Sequence, residues 1–233
     1  MQWSYGVTTV PQRLGDLLPS TLRSLRAAGF DDPRLFIDGC VETLPIHLAE
    51  YEITERRPRV RVAGNWWLSM VEVYLRGLQV GAQRFAIFQD DFITYPHLKE
   101  YLDQCKYPDR GYWNLYTVPM NQDLARQPGW FESNQRGLGA VALVFDRKAV
   151  QTLLAAPHFV NRPQDLRNGH KKVDGGIVTA MTKAGYKEYV HNPSLVEHLG
   201  LPSTIEGKHS SGAFQRAASF RGQTFDAREM MDV

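Results

Sequence analysis

Asp90 and Asp91 follow Gln89 at the end of a four-residue apolar run, Phe85 to Phe88. Such a run, broken by adjacent carboxylates, predicts a buried strand whose C-terminal end reaches a cleft. Open α/β sheets bind their ligands at that end. Two acids there need a compensating charge, because an unpaired buried carboxylate is costly. A divalent cation supplies one, since hard cations take carboxylate oxygens. A solvated acidic turn would place the same residues without chemistry. Pro11-Gln12-Arg13 sits just beyond another expected strand, also a natural ligand position. Asp174 precedes Gly175-Gly176 and opens an apolar stretch, where Asp equally serves as a helix cap. Trp130 and Phe131 lie in the polar, Pro- and Gly-containing segment 119–136, and a loop of that length is usually functional or disordered.

The elements that must position these residues alternate between strand and helix patterns. Residues 2–10 predict a first strand, and Leu14 to Ala28 a helix stopped by Gly29. Leu35-Phe36-Ile37 predicts a second strand that ends in Asp38-Gly39. Together these form a βαβ unit with parallel strands. Arg59 to Val62 alternates like a short strand. A helix is expected from about Trp66 to Val80, with Trp67, Met70, Val71, Tyr74, Leu75 and Leu78 toward the core. The organising strand follows, then a helix through about Cys105 and strands at 112–116 and 141–145. Helices at 147–155 and 177–184, a strand at 186–190 and a polar tail complete the pattern.

A chain of 233 residues makes one large domain or two small ones. A net charge of +2 gives no strong footprint for nucleic acid or membrane. Charge is nevertheless uneven: Arg56, Arg57, Arg59 and Arg61 crowd one segment, and Arg162, Arg167, Lys171 and Lys172 another. Such clusters are most often solvated faces. Cys40 and Cys105 form no close-spaced redox or zinc motif. With no signal-like N-terminus and no apolar stretch of membrane length, a soluble cytoplasmic protein is expected.

The order of these pieces resembles the GT-A glycosyltransferases. The matching residues are Val7-Thr8-Thr9-Val10-Pro11, Ile37-Asp38-Gly39, Gly64-Asn65, Gln89-Asp90-Asp91, Gly137-Leu138-Gly139-Ala140 and Asp174-Gly175-Gly176. Pro193-Ser194-Leu195-Val196-Glu197-His198 resembles the C-terminal segment of several such families, N-acetylglucosaminyltransferase-like ones included. The likeness spans about residues 2–204. It departs at the acidic motif, usually Asp-x-Asp and here Gln-Asp-Asp, which keeps the final acid.

The resemblance implies an α/β fold of GT-A type, a Rossmann-like mixed sheet flanked by helices. One domain, 1–204, would hold a nucleotide-binding half to about 110 and an acceptor half from about 111, with 205–233 a flexible or ligand-ordered tail. It implies transfer of a sugar from a UDP-sugar to an acceptor hydroxyl with Mn²⁺ or Mg²⁺ held by Asp91 and His198. Thr8, Val10, Arg13, Asp38, Asn65 and Asp90 would meet the nucleotide sugar. Trp130 and Gly139 would meet the acceptor, and Asp174 would be the base of an inverting reaction. Relatives act on glycans, lipopolysaccharide, proteins or, in phage-type enzymes, hydroxymethylated DNA bases. The basic segments and Trp130 favour a 5-hydroxymethylated pyrimidine in DNA. A catalytically inactive sugar-nucleotide-binding module is the alternative of another class. A nucleotidyltransferase would also use paired acids, but it expects a Gly-rich loop where this chain has Thr9-Val10-Pro11-Gln12-Arg13.

Overall fold

The computed structural model describes residues 1–157, 173–199 and 216–231. An eight-stranded mixed sheet forms its centre, in the order β3-β2-β1-β4-β8-β6-β9-β7. The strands are β1 (Trp3–Thr9), β2 (Arg34–Ile37), β3 (Ile53–Glu55), β4 (Arg84–Gln89), β6 (Gly111–Asn114), β7 (Gly129–Glu132), β8 (Ala142–Asp146) and β9 (Lys187–Asn192). A separate antiparallel pair joins β5 (Phe92–Thr94) to β10 (Val196–His198). Flanking helices are α1 (Leu17–Ala27), α2 (Arg61–Gln79), α3 (Leu98–Gln104), α4 (Pro119–Gln122), α5 (Arg147–Ala155) and α6 (Val173–Lys183).

β1, β2, β3 and β4 are mutually parallel, as the βαβ pattern predicts. β8 runs antiparallel to both β4 and β6, and β6 is parallel to β9. The ends of β1, β2, β4 and β6 therefore share one edge with the start of β8.

The central strands β4 and β8 are buried on both faces, which is why they read as nearly continuous apolar runs. Side chains alternate between two cores. Ala86 and Phe88 of β4 join Ala142 and Val144 of β8 under α1 and α3. Phe85 and Ile87 join Leu143 and Phe145 under α2, α5 and α6. α1 begins where the Asp16 carboxylate accepts from Leu17 N, and α5 where Asp146 accepts from Ala149 N.

Three expectations are corrected. Arg59 to Val62 is not a strand: α2 starts at Arg61, where Asp38 Oδ1 accepts from Val60 N (2.7 Å) and fixes the entry of the chain. The core face of α2 is also displaced. Trp66, Met70 and Val73 are buried, while Leu75 and Leu78 are 54% and 42% exposed. The inner face carries small residues instead, because α2 lies very close to the sheet. A Cβ on Gly77 would come within 2.3 Å of the Phe85 ring. The expected loop at 119–136 contains α4 and the edge strand β7, paired with β9.

Of the expected tail, residues 205–215, 232 and 233 lie outside the described residues. Residues 216–231 pack against the domain: Ala217 and Ala227 are buried, and Phe220 stacks on Tyr95 with ring centroids 4.6 Å apart. The basic residues Arg162, Arg167, Lys171 and Lys172 lie outside the described residues. No described helix is long and apolar enough to cross a membrane.

Candidate active site

The acids leave β4 at the shared edge of the sheet. Gln89, which stands where the usual motif has its first acid, is a tether: its Nε2 donates to Ala140 O (2.9 Å) and its backbone N to Val141 O (2.8 Å). Asp90 and Asp91 are 3% and 5% exposed. Asp90 accepts from Thr9 Oγ1 and from Arg13 Nη1, both at 2.5 Å. The same Arg13 nitrogen donates to Asp91 Oδ2 at 2.9 Å. A 3₁₀ turn over Pro11–Arg13 aims Arg13 inward from the end of β1.

His198 reaches Asp91 through strand pairing. The β5–β10 register sets His198 opposite Phe92, and Leu199 N donates to Asp91 O (2.8 Å). His198 Nε2 lies 3.3 Å from Asp91 Oδ2. Asp91 Oδ1 is buried and accepts no hydrogen bond. Burial pushes both acids upward. In Asp90 burial is reinforced by the neighbouring Asp91 charge, and its pKa stays raised despite Arg13 and Thr9. In Asp91 the hydrogen bond and charge of His198, with Arg13, outweigh burial, and its pKa falls below the usual value. Burial lowers the Arg13 pKa, but the two acids more than offset it.

Asp38, 1% exposed at the end of β2, faces Arg59 Nε at 3.5 Å. A Cβ on the adjacent Gly39 would lie 2.9 Å from Pro11, so the ends of β1 and β2 touch. Val10 is buried and caps the 3₁₀ turn, and Thr8 Oγ1 donates to Phe88 O (3.2 Å). Asn65 is engaged elsewhere: its Nδ2 donates to Phe36 O, and its Oδ1 accepts from Arg56 Nε.

On the acceptor side, Asp174 lies in the first turn of α6, and its Oδ2 accepts from Gly139 N at 2.7 Å. Gly137, with φ +66°, packs so close to α6 that a Cβ would come within 2.6 Å of Asp174 O. Gly139 abuts the ring of Tyr116, and that ring lies 6.0 Å from the imidazole of His198, centroid to centroid. Tyr116 thus links the Asp174 loop to the Asp91–His198 pair. Trp130 sits on β7 and stacks on Trp113 (centroids 4.6 Å apart, 10° between planes), away from this cluster of acids.

The structure therefore gathers Arg13, Asp90, Asp91 and His198, sets Asp38 beside their turn, and joins Gly139 to Asp174. Asn65 and Trp130 make other contacts. Thr9, Tyr116 and Glu188 are not among the expected site residues. Thr9 is one position from the expected Thr8, and strand alternation turns the two to opposite faces. Glu188 gave no signal inside an apparent strand. It is 2% exposed and accepts from Ser133 Oγ (2.6 Å), Asn114 Nδ2 (3.2 Å) and Tyr112 OH (3.3 Å). Burial raises its pKa against those hydrogen bonds. Asn114 Nδ2 also donates to Leu138 O, so this network braces the glycine loop beneath Asp174.

No protein-family model and no curated protein matches the sequence. Solved structures do match. GalNAc-T7, crystallised with UDP, GalNAc and Mn²⁺, superposes with a TM-score of 0.52 at 12% identity, over 89% of this chain and 46% of that one. TarS of S. aureus gives a TM-score of 0.52 at 10% identity, over 82% of this chain and 35% of that one. The chain thus spans less than half the length of either protein. The mixed sheet, its flanking helices and these superpositions give the chain a GT-A-type α/β fold.

Proposed function

We propose that the chain is a divalent-cation-dependent glycosyltransferase that moves a sugar from a UDP-sugar to an acceptor hydroxyl with inversion. The observation that carries this reading is the approach of His198 to Asp91, 3.3 Å apart, at the sheet edge where ligands of this fold class bind. The donor set fits a hard or borderline cation: a carboxylate with one buried oxygen that accepts no hydrogen bond, and an imidazole. Among the described residues no group of three or more His, Cys, Asp or Glu could hold a metal ion. Two protein ligands suit a cation that completes its shell with substrate phosphates and water. Asp91 and His198 would hold it, and bound there it would neutralise charge on the departing diphosphate. GalNAc-T7, of like fold, was crystallised with UDP and Mn²⁺, which supports the choice of donor and ion.

The chain's own residues supply the rest. Arg13 brings positive charge beside the diphosphate, and Asp38 offers an acceptor to base or ribose. Asp174 takes the proton of the attacking hydroxyl. Its hydrogen bond from Gly139 N and its place in a helix's first turn orient it. Three of the arginines that suggested a DNA backbone are paired within the protein, Arg56 with Glu72, Arg57 with Glu55 and Arg59 with Asp38. Hydroxymethylated DNA is accordingly one arm of the acceptor panel, beside glycan, lipopolysaccharide and protein.

The test measures release of free UDP from a panel of UDP-sugars with Mn²⁺ and each acceptor. Cation-dependent release that disappears in Asp91→Ala supports the reading. Full turnover in Asp91→Ala refutes it. UDP binding with no turnover on any acceptor would favour the inactive binding module instead.

A further inference from the structure

The oxygen of Asp91 nearest His198 is already engaged. Oδ2 lies 3.3 Å from His198 Nε2 and 2.9 Å from Arg13 Nη1, and that nitrogen is also 2.5 Å from Asp90 Oδ1. The three side chains of this ion triad are deeply set, with exposures of 10% for Arg13, 4% for Asp90 and 7% for Asp91. A cation shared by Asp91 and His198 would therefore sit next to a guanidinium, in a setting where water screens little. Like charges so close repel, whether the cation takes the shared Oδ2 or the unpartnered Oδ1 of the same carboxylate. The arrangement has the same sign on both sides: what Arg13 contributes to Asp91, an incoming cation must displace.

We propose that Arg13 is a built-in competitor for the divalent cation. It holds Asp91 oriented while keeping affinity for the free ion low. A nucleoside diphosphate relieves the competition, because its phosphates offer the guanidinium an anionic partner in place of Asp91. Arg13 stays anchored at Asp90 and releases Asp91 to the cation. Cation and diphosphate then bind with positive coupling, and by linkage each strengthens the other by the same factor. This deepens the reading of Asp91 and His198 as cation ligands and rests on it.

The test is Mn²⁺ binding followed by the electron paramagnetic resonance signal of the free ion at fixed pH. The proteins are wild type, Arg13→Gln, Arg13→Lys and Asp91→Asn, each with and without UDP and corrected for Mn²⁺ bound by UDP alone. Arg13→Gln without UDP should bind Mn²⁺ about tenfold or more tighter than wild type, and UDP should improve its affinity much less than it improves wild type. Arg13→Lys keeps a positive charge but cannot bridge both acids in the same way, so it should fall between the two. Asp91→Asn should lose tight binding throughout. Circular dichroism and a cooperative melt establish that each variant is folded. If Arg13→Gln is unfolded, Arg13→Lys decides by the same comparison. Mn²⁺ affinity no higher than wild type in the folded Arg13 variant overturns the proposal, as does tight binding by wild type without UDP. Failure of UDP to bind wild type, with Mn²⁺ tightened in Arg13→Gln, would remove the proposed donor and leave the competition intact. Turnover with UDP-sugar alongside equal Mn²⁺ affinities would do the reverse.

Discussion

Replacing Gly139 by alanine tests how tightly the loop under Asp174 is built. Two costs add. Gly139 has φ +74°, and the left-handed region costs an L-residue about 1–2 kcal/mol. The new Cβ would also lie 2.4 and 2.7 Å from two atoms of the Tyr116 ring and 3.3 Å from Val118. Tyr116 is 3% exposed, so the ring has nowhere to retreat, and overpacking of this kind costs about 1–3 kcal/mol. The sum is about 2–5 kcal/mol, a large part of a typical domain's stability. Gly81 separates the terms: it has φ +68°, yet its Cβ would meet nothing within 4 Å. Gly81→Ala should therefore show the backbone cost alone. Urea denaturation of both variants measures the difference, which should be about 1–3 kcal/mol against Gly139→Ala. Losses equal within about 0.5 kcal/mol would mean that Gly139 is needed for its backbone angle only. The packing argument that joins Gly139, Tyr116 and His198 would then fail.

Asp174→Asn keeps the size and capping ability of the side chain, so stability should change by about 1 kcal/mol or less, while turnover falls by ~10²-fold or more with UDP binding unchanged. A fully active variant, or a product that retains the donor's anomeric configuration, removes Asp174 as the base of an inverting transfer. His191 provides a pH test remote from the acids. Burial lowers its pKa from 6.5 to about 4, partly countered by a hydrogen bond to Pro193 O. The fold favours neutral imidazole, so this contribution is complete above pH 6.5 and is lost as pH falls through about 4, for a total of roughly 3 kcal/mol. Wild type should lose more stability than His191→Asn between pH 7 and 4, and parallel curves would contradict the assignment. Trp130→Ala should cost about 2–3 kcal/mol, because the ring is half-buried against Trp113, and should leave UDP binding unchanged. Weakened acceptor use with unaltered stability would support the acceptor role expected of Trp130.

The parts of this protein that were legible in its sequence are those written in local pattern. The run from Phe85 to Asp91 marks a central strand and its cleft because a strand covered on both faces is apolar without alternation. The first βαβ unit was visible through Gly29 and Pro33 as punctuation. Large residues at helical spacing point to the wrong face of α2, because its proximity to the sheet selects Ala63, Ser69 and Gly77. β7 is an edge strand of four residues among turn formers, too short for alternation to show. The pairing of Asp91 with His198 depends on the β5–β10 register, a contact over a hundred residues of chain that only the family resemblance hinted at. Arg13 was visible as a loop residue near a strand end, but its insertion between two acids is a property of the 3₁₀ turn and has no one-dimensional signature.

The packing of residues 216–231 has a bearing on how the molecule opens. Ser194 N donates to Ser219 Oγ, Ala217 N to Glu197 Oε1, and Arg221 N to Tyr95 OH, while Tyr95 OH donates to Ser194 O. Asp226 meets His97 at the head of α3. The last described segment and the strand that carries His198 thus share their hydrogen bonds. They should exchange amide protons with solvent as one cooperative unit, at one rate, instead of fraying from the chain end inward. Trimming the segment would then loosen β10 from a distance, and the first property to suffer would be the aim of His198 while the central sheet stayed intact.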